Sequence, residues 1–350
     1  MNFASDNWAG VPEAVTAALA AAADGPAPAY GDDALSELVG EQVSALFERP
    51  CATFFVATGS AANSLALASA ARAGGLVLCH AESHINTDEG GAPEFLTGGL
   101  KLLGLPGAKG RLDLATVEAA LERIGEGNVH NGRPVALSLT QASEVGTVYT
   151  PAMVEALAGA AKRRGLMVHM DGARFGNAVA RLGCAPADVT WRAGVDVLSF
   201  GLTKTGAWAA EAVVFFDPEK ADEFGYLRKR AGHLFSKSRF VAAQYAALLE
   251  GGLWLDLAGH ANRMAARLAA GLVQAPAARL PFAPEANEVF VVLRDDAAAR
   301  LRAAGARFHP WSQEGFAPHD RPHAGETLVR LVASFRTTED EVDRFVELCV

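Results

Sequence analysis

Along the first two-thirds of the chain, short runs of apolar residues alternate with longer segments in which apolar positions recur every three or four residues. The runs read as strands over Thr53–Ala57, Leu76–His80, Lys101–Leu105, Val135–Thr140, Met167–Met170, Val195–Phe200 and Ala212–Phe216. Between them the spacing predicts helices over Ser60–Ala73, Leu114–Ile124, Pro151–Arg164 and Pro186–Arg192. Strands that are apolar on both faces and separated by helices predict a mainly parallel sheet covered on both sides. Right-handed crossovers then give a doubly wound α/β core.

From about Leu234 the pattern changes. A long helical region reaches Leu272, followed by an apolar run at Glu288–Leu293 and a helix near Asp295–Ala304. Short strand-like pieces at Arg307–His309 and Thr327–Ser334 precede a last helix from Thr338. The expectation is a large domain over residues 1–235, N-terminal segment included, and a small α+β domain over 236–350 with its linking helix. No internal repeat is evident. The Pro-rich stretch Gly25–Tyr30 is too short for a linker and reads as a structured lid or site loop.

Composition narrows the function classes. Of 350 residues 20% are charged, with a formal net charge of −9, so neither nucleic acid nor an anionic membrane surface would attract the chain. Basic clusters at Lys162–Arg164 and Arg228–Arg230 read as solvated helix faces. No apolar run is long enough to span a bilayer, and Met1–Gly10 lacks the apolar core of a signal peptide. Four widely spaced cysteines without a CxxC pair suit a reducing cytoplasm, each expected to be a small buried hydrophobe.

In open α/β sheets, ligands gather at the C-terminal ends of the strands. Four predicted strand ends carry unusual chemistry. Ala57-Thr58-Gly59-Ser60 turns through small residues into a helix, as an anion site or a plain N-cap would. It lacks both the GxGxxG spacing and the P-loop lysine, so no dinucleotide or NTPase site is supported. His84 follows the second strand and could stack on a flat ring or move a proton. The His80, His84, Asp88 spacing lacks a further His or Cys ligand, and no metal is expected.

Asp171, after an apolar strand, is costly there without a cationic partner, and the protonated nitrogen of a pyridine ring is one. Arg174 could grip a carboxylate with its bidentate fork, whereas His169, within the strand, reads as a core residue. Lys204 leaves the next strand among small residues, a setting that favours Schiff-base chemistry. Asp171 and Lys204 gain weight as neighbours on a sheet, with the Thr58-Gly59-Ser60 turn upstream.

These segments resemble the threonine aldolase family, within the aminotransferase-like type I group of pyridoxal 5'-phosphate enzymes. The resemblance runs from Ser5-Asp6-Asn7 to the end and is densest from Tyr30 to Arg239. It is strongest to the low-specificity L-threonine and phenylserine aldolases, through Ser83-His84-Ile85-Asn86, Gly91-Ala92-Pro93-Glu94-Phe95, Thr140-Gln141-Ala142-Ser143-Glu144-Val145-Gly146, His169-Met170-Asp171-Gly172 and Arg228-Lys229-Arg230-Ala231-Gly232-His233.

The resemblance implies that Lys204 carries the cofactor, Asp171 pairs with its ring nitrogen, Gly59 and Ser60 hold its phosphate and His84 stacks on its ring. It implies that Ser5, Arg174 and Arg330 bind the carboxylate of a β-hydroxy-α-amino acid. Tyr30 would reach a neighbouring subunit's site, and Arg239 would be lent across the interface to the phosphate, in a homotetramer or at least a dimer with shared sites. Two departures stand out: Ser143 occupies the place of a family histidine near the substrate hydroxyl, and Gly232 the place of a phosphate-side lysine. His84, directly or through water, then becomes the expected base. Rival expectations are a β-eliminating lyase or aminotransferase, and a catalytically silent cofactor-binding protein; a hydride-transferring dehydrogenase would need a fingerprint that is absent.

Overall fold

The computed structural model describes all residues from Met1 to Val350. Seven strands build the larger sheet: β1 (Ala52–Val56), β2 (Gly75–His80), β3 (Lys101–Leu105), β4 (Arg133–Thr140), β5 (Met167–Gly172), β6 (Val197–Gly201) and β7 (Glu211–Phe215), in the order β1-β7-β6-β5-β4-β2-β3. The pairs β2–β3, β2–β4, β4–β5 and β5–β6 are parallel, as expected. Only β7 runs against its neighbours, β1 and β6. The short connection 202–210 cannot make a crossover, so β7 folds straight back along β6. Every position of β2, β6 and β7 is buried, which explains why they read as unbroken apolar runs.

Each expected strand of this sheet forms, with ends shifted by no more than two residues. The helix expected at Pro186–Arg192 does not form: the segment is a series of turns closed by a 3-10 turn at Trp191–Ala193. Tertiary anchoring overrides its local pattern, because Trp191 Nε1 donates to the Phe47 carbonyl at 2.7 Å and Thr190 Oγ1 turns back to the Pro186 carbonyl at 2.7 Å. The long helical region is two helices, Arg239–Leu249 and Leu253–Gln274. Gly251 and Gly252 break it with φ of 59° and 78°, a region where glycine alone is unstrained.

A second sheet is wholly antiparallel, in the order β10-β11-β9-β8, with β8 at Ala278–Arg279, β9 at Glu288–Arg294, β10 at His309–Pro310 and β11 at Glu326–Val332. The helices Leu253–Gln274 and Glu339–Glu347 cover it, and Leu268, Leu272, Val289, Val291, Leu331 and Phe345 fill its core. The start of the chain joins this unit. Phe3 is fully buried in that core, its N–H donating to the Arg307 carbonyl and its carbonyl accepting from Val332. The following residues, Ser5–Trp8, are thereby led toward the large sheet, where the short turn Asp6–Trp8 meets Thr203–Thr205. No helix is long and apolar enough to cross a membrane, and all four cysteines are free.

Candidate active site

The C-terminal ends of the parallel strands open on a cavity of about 350 Å3. The helix Gly59–Ala68 begins there, its Thr58 cap accepting from the Ala61 N–H at 3.2 Å, and Gly59, Ser60 and Asn63 line the wall. Asp171 enters from the end of β5, Lys204 from the Thr203–Thr205 turn after β6, and His84 from the turn after β2. A larger hollow, about 530 Å3, lies at the opposite ends of the strands and is lined by Arg72, Arg133, Lys162, Arg164 and Lys220. Size does not select it. The smaller cavity joins a lysine, carboxylates, an imidazole and a helix N-terminus at the ligand-binding edge of the sheet.

Asp171 is 3% exposed, yet only neutral donors reach it: Asn63 Nδ2 at 2.8 Å and the Ala173 N–H at 2.9 Å. A buried carboxylate without a cation is an unfinished ion pair. Asn63 Nδ2 also donates to Glu89 Oε1 at 2.9 Å, and that oxygen lies 2.9 Å from His84 Nδ1. The bond to Glu89 raises the His84 pKa against the opposing effect of burial, so its protonated form persists to higher pH than in a free imidazole. The backbone tolerates this crowding because Gly172 follows Asp171; a Cβ there would stand 2.6 Å from the Ser199 carbonyl oxygen.

Two further buried carboxyl groups close the cavity. Glu211, on β7, and Glu144, beyond β4, are each pushed up to about 7, chiefly by burial. Glu144 accepts the His84 backbone N–H at 2.8 Å. His169, by contrast, is held inside the sheet between Ser138 and Ser199, both at 2.9 Å, and burial lowers it to about 4, in keeping with a core residue.

Arg174 lines the cavity, but its fork is already engaged: Nε lies 2.8 Å and Nη2 3.1 Å from the carboxylate of Asp6. Its Nη2 also approaches Glu288 Oε1 at 3.4 Å, the oxygen that Arg330 Nη1 reaches at 3.4 Å. Arg330 packs its guanidinium 4.5 Å above the Trp311 ring. Ser5 accepts from the Asn7 N–H at 3.1 Å, and Asn7 rather than Ser5 lines the wall. Ser143 is fully buried, turned to Thr147 Oγ1 at 2.8 Å and outside the wall.

The fold therefore gathers Gly59, Ser60, His84, Asp171, Arg174 and Lys204 around one cavity, with Ser5 and Arg330 behind Asn7, Asp6 and Glu288. Tyr30 and Arg239 lie apart from it. They sit at the two ends of the Gly25–Tyr30 loop, Arg239 Nη2 donating to the Gly25 carbonyl at 3.2 Å and the Tyr30 N–H to the Ser236 carbonyl at 2.9 Å. The sequence reading missed Asn63, Glu89, Glu211, Asp6 and Glu288 as members of the site. Glu211 carried a visible signal, a charged residue opening the apolar run Ala212–Phe216.

The chain matches the beta-eliminating lyase family over residues 2–296. It is 45% identical to the low specificity L-threonine aldolase of Pseudomonas aeruginosa over 314 residues, spanning 89% of this chain and 90% of that one. An enzyme of the same name from another Pseudomonas is 44% identical with equal coverage. A solved structure of Leishmania major threonine aldolase superposes with a TM-score of 0.91 at 28% identity, over 99% of this chain and 98% of that one. A serine palmitoyltransferase from Sphingomonas wittichii, 16% identical, shares the fold with a TM-score of 0.73 over 99% of this chain and 86% of its own.

Proposed function

The chain belongs to the beta-eliminating lyase family, among the threonine aldolases, and on that premise we propose that it cleaves β-hydroxy-α-amino acids with pyridoxal 5'-phosphate. The substrates are L-threonine, L-allo-threonine or phenylserine-like compounds, split reversibly into glycine and an aldehyde. The observation that carries this reading is Asp171: a buried carboxylate without a cation, sharing a cavity with Lys204. The donor set fits the cofactor. Lys204 would hold it covalently, Asp171 would pair with its ring nitrogen, Gly59 and Ser60 would receive its phosphate, and His84 would stack on its ring. Bound there, the cofactor supplies the sink for the electron pair released when Cα–Cβ breaks.

The chain's own residues do the rest. Arg174 presents Nη1, which no protein group engages, to the substrate carboxylate, and Arg330 and Ser5, which stand behind the cavity wall, support that grip from there. Fixing the carboxylate sets which bond at Cα can break. Asp171 is aimed by Asn63, which also fixes Glu89 and through it the His84 ring. A titratable group must accept the hydroxyl proton, and the cavity offers His84 and Glu144 on one side of it, joined by a backbone hydrogen bond. Tyr30 and Arg239 serve a neighbouring subunit's site in a homotetramer, or at least a dimer, of a cytoplasmic enzyme.

The test is a product assay of the cofactor-loaded protein with L-threonine and with phenylserine. Glycine and aldehyde in equal amounts are expected. Ammonia with a keto acid would point instead to elimination, and amino transfer to an added keto acid would point to an aminotransferase.

A further inference from the structure

Glu144 has one oxygen fixed and one free. Oε1 accepts the His84 backbone N–H at 2.8 Å, while Oε2 is closed off from solvent with no hydrogen-bond partner. A buried carboxyl oxygen left bare costs free energy unless a ligand supplies the donor. Glu144 lines the same cavity as Lys204, Asp171 and Arg174, so a ligand that reaches Lys204 lies beside this carboxyl group. A β-hydroxyl is a donor of the required kind. Of its neighbours, Ser143 Oγ faces Thr147 and lies outside the wall, and the bond between His84 Nδ1 and Glu89 raises the imidazole's pKa, which favours the protonated ring over the free base. Of the other buried carboxyl groups on the wall, Glu211 lies beside Thr203 and Lys204, and Glu89, whose Oε2 is also bare, uses its Oε1 to hold Asn63 and His84.

We propose that Glu144 is the catalytic base for the substrate's β-hydroxyl, taking its proton in cleavage and returning one to the aldehyde oxygen in synthesis; this rests on the aldolase reading above. In cleavage the O–H bond breaks as Glu144 Oε2 gains the proton. The hydroxyl oxygen becomes the aldehyde carbonyl, and the Cα–Cβ electron pair stays with the glycine carbon. That carbon takes up one proton and Glu144 releases one, so the turnover is proton-neutral. Burial pushes the carboxyl up to about 7, near the value that suits a base working at neutral pH. The titratable and charged groups facing it are His84, Asp171 and Arg174 at the cavity, with Cys79 and Tyr149 behind.

The test compares wild-type holoenzyme with Glu144→Gln and Glu144→Asp in three readouts. Cleavage of phenylserine is followed against pH, exchange of the glycine α-proton into heavy water is followed by NMR, and the protonated-carboxyl infrared band is titrated. Glycine exchange needs Lys204 and Asp171 but no hydroxyl deprotonation. Expected for Glu144→Gln is a loss of kcat/KM by about 10²- to 10³-fold, typical of a missing general base. Its acid limb near pH 7 should vanish, its infrared band should weaken, and its glycine exchange should stay close to wild type. Glu144→Asp should restore part of the rate together with an acid limb. Cleavage by Glu144→Gln at the wild-type rate, or equal loss of exchange and cleavage, overturns the assignment. Wild-type protein that exchanges glycine but cleaves no β-hydroxy-α-amino acid overturns the aldolase reading itself, and the assignment with it.

Discussion

Inside the protein Arg174 holds Asp6 through two donor atoms, Nε to Oδ2 at 2.8 Å and Nη2 to Oδ1 at 3.1 Å. The partners come from the two ends of the molecule's logic: Asp6 from the N-terminal segment that the small sheet captures, Arg174 from the end of β5. Burial opposes ionisation of Asp6, but Arg174 and Lys204 more than offset it and hold the carboxyl below its usual range. Asn287 adds a third bond to Asp6 at 3.0 Å. The pair thus ties the small sheet unit to the rim of the cavity and leaves Nη1 as the arginine's unengaged donor atom.

Asp6→Asn should therefore loosen two things together. Leaving a buried guanidinium half-paired costs about 3–5 kcal/mol, seen as a lower melting temperature. The amino acid KM should rise more than kcat falls, because the arginine loses its orientation. Unchanged melting and KM would show that the ion pair neither stabilises nor positions.

Lys204→Ala should abolish both the visible absorbance of the lysine-linked cofactor and the cleavage of phenylserine. Spectra and product assays on the same preparation decide it. Turnover retained without this lysine would sink its assignment.

Asp171→Ala should still take up cofactor, more weakly, but lose about two to three orders of magnitude in kcat, since an ion pair worth a few kcal/mol in the reacting state disappears. Equilibrium dialysis and steady-state kinetics separate the two effects. A rate near wild type would contradict the role given to this carboxylate.

Glu89→Gln should lower the pKa of His84, because the hydrogen bond that Glu89 accepts from the ring is the largest cause of its elevation. Imidazole signals followed by NMR across pH would report the shift. A titration unmoved by the substitution would mean that another group governs His84.

Glu211 gives a stability prediction. Its folded-state pKa, about 7, lies above that of the unfolded chain, so the protonated form is favoured by folding. Its contribution is full below the ordinary glutamate range and is lost as pH rises through about 7. Melting temperatures of cofactor-free protein should fall between pH 5 and pH 8, roughly the span between these two values. Glu211→Gln should flatten part of that fall. Glu144 titrates in the same window with the same sign, so some slope remains in the variant. An unaltered slope would show that Glu211 stays ionised or protonated throughout.

The sequence by itself determined the order of the elements and the strand ends that carry chemistry. Period and apolar content are local properties, and burial on both faces makes β2, β6 and β7 legible residue by residue. Lys204, Asp171 and His84 stand out in the sequence because each ends or closely follows such a run. Tertiary structure alone decided which polar side chains are stripped of water and whom they meet. Asn63 reads as one polar position on an Ala-rich helix, yet its Nδ2 joins Glu89 and Asp171, distant in sequence by 26 and 108 residues. Asp6 and Arg174 stand 168 residues apart, and no local pattern could have shown that the arginine's fork was already taken. Solvation and pairing are set by the whole packed molecule, and those two quantities separate a polar residue on a surface from one that acts in a site.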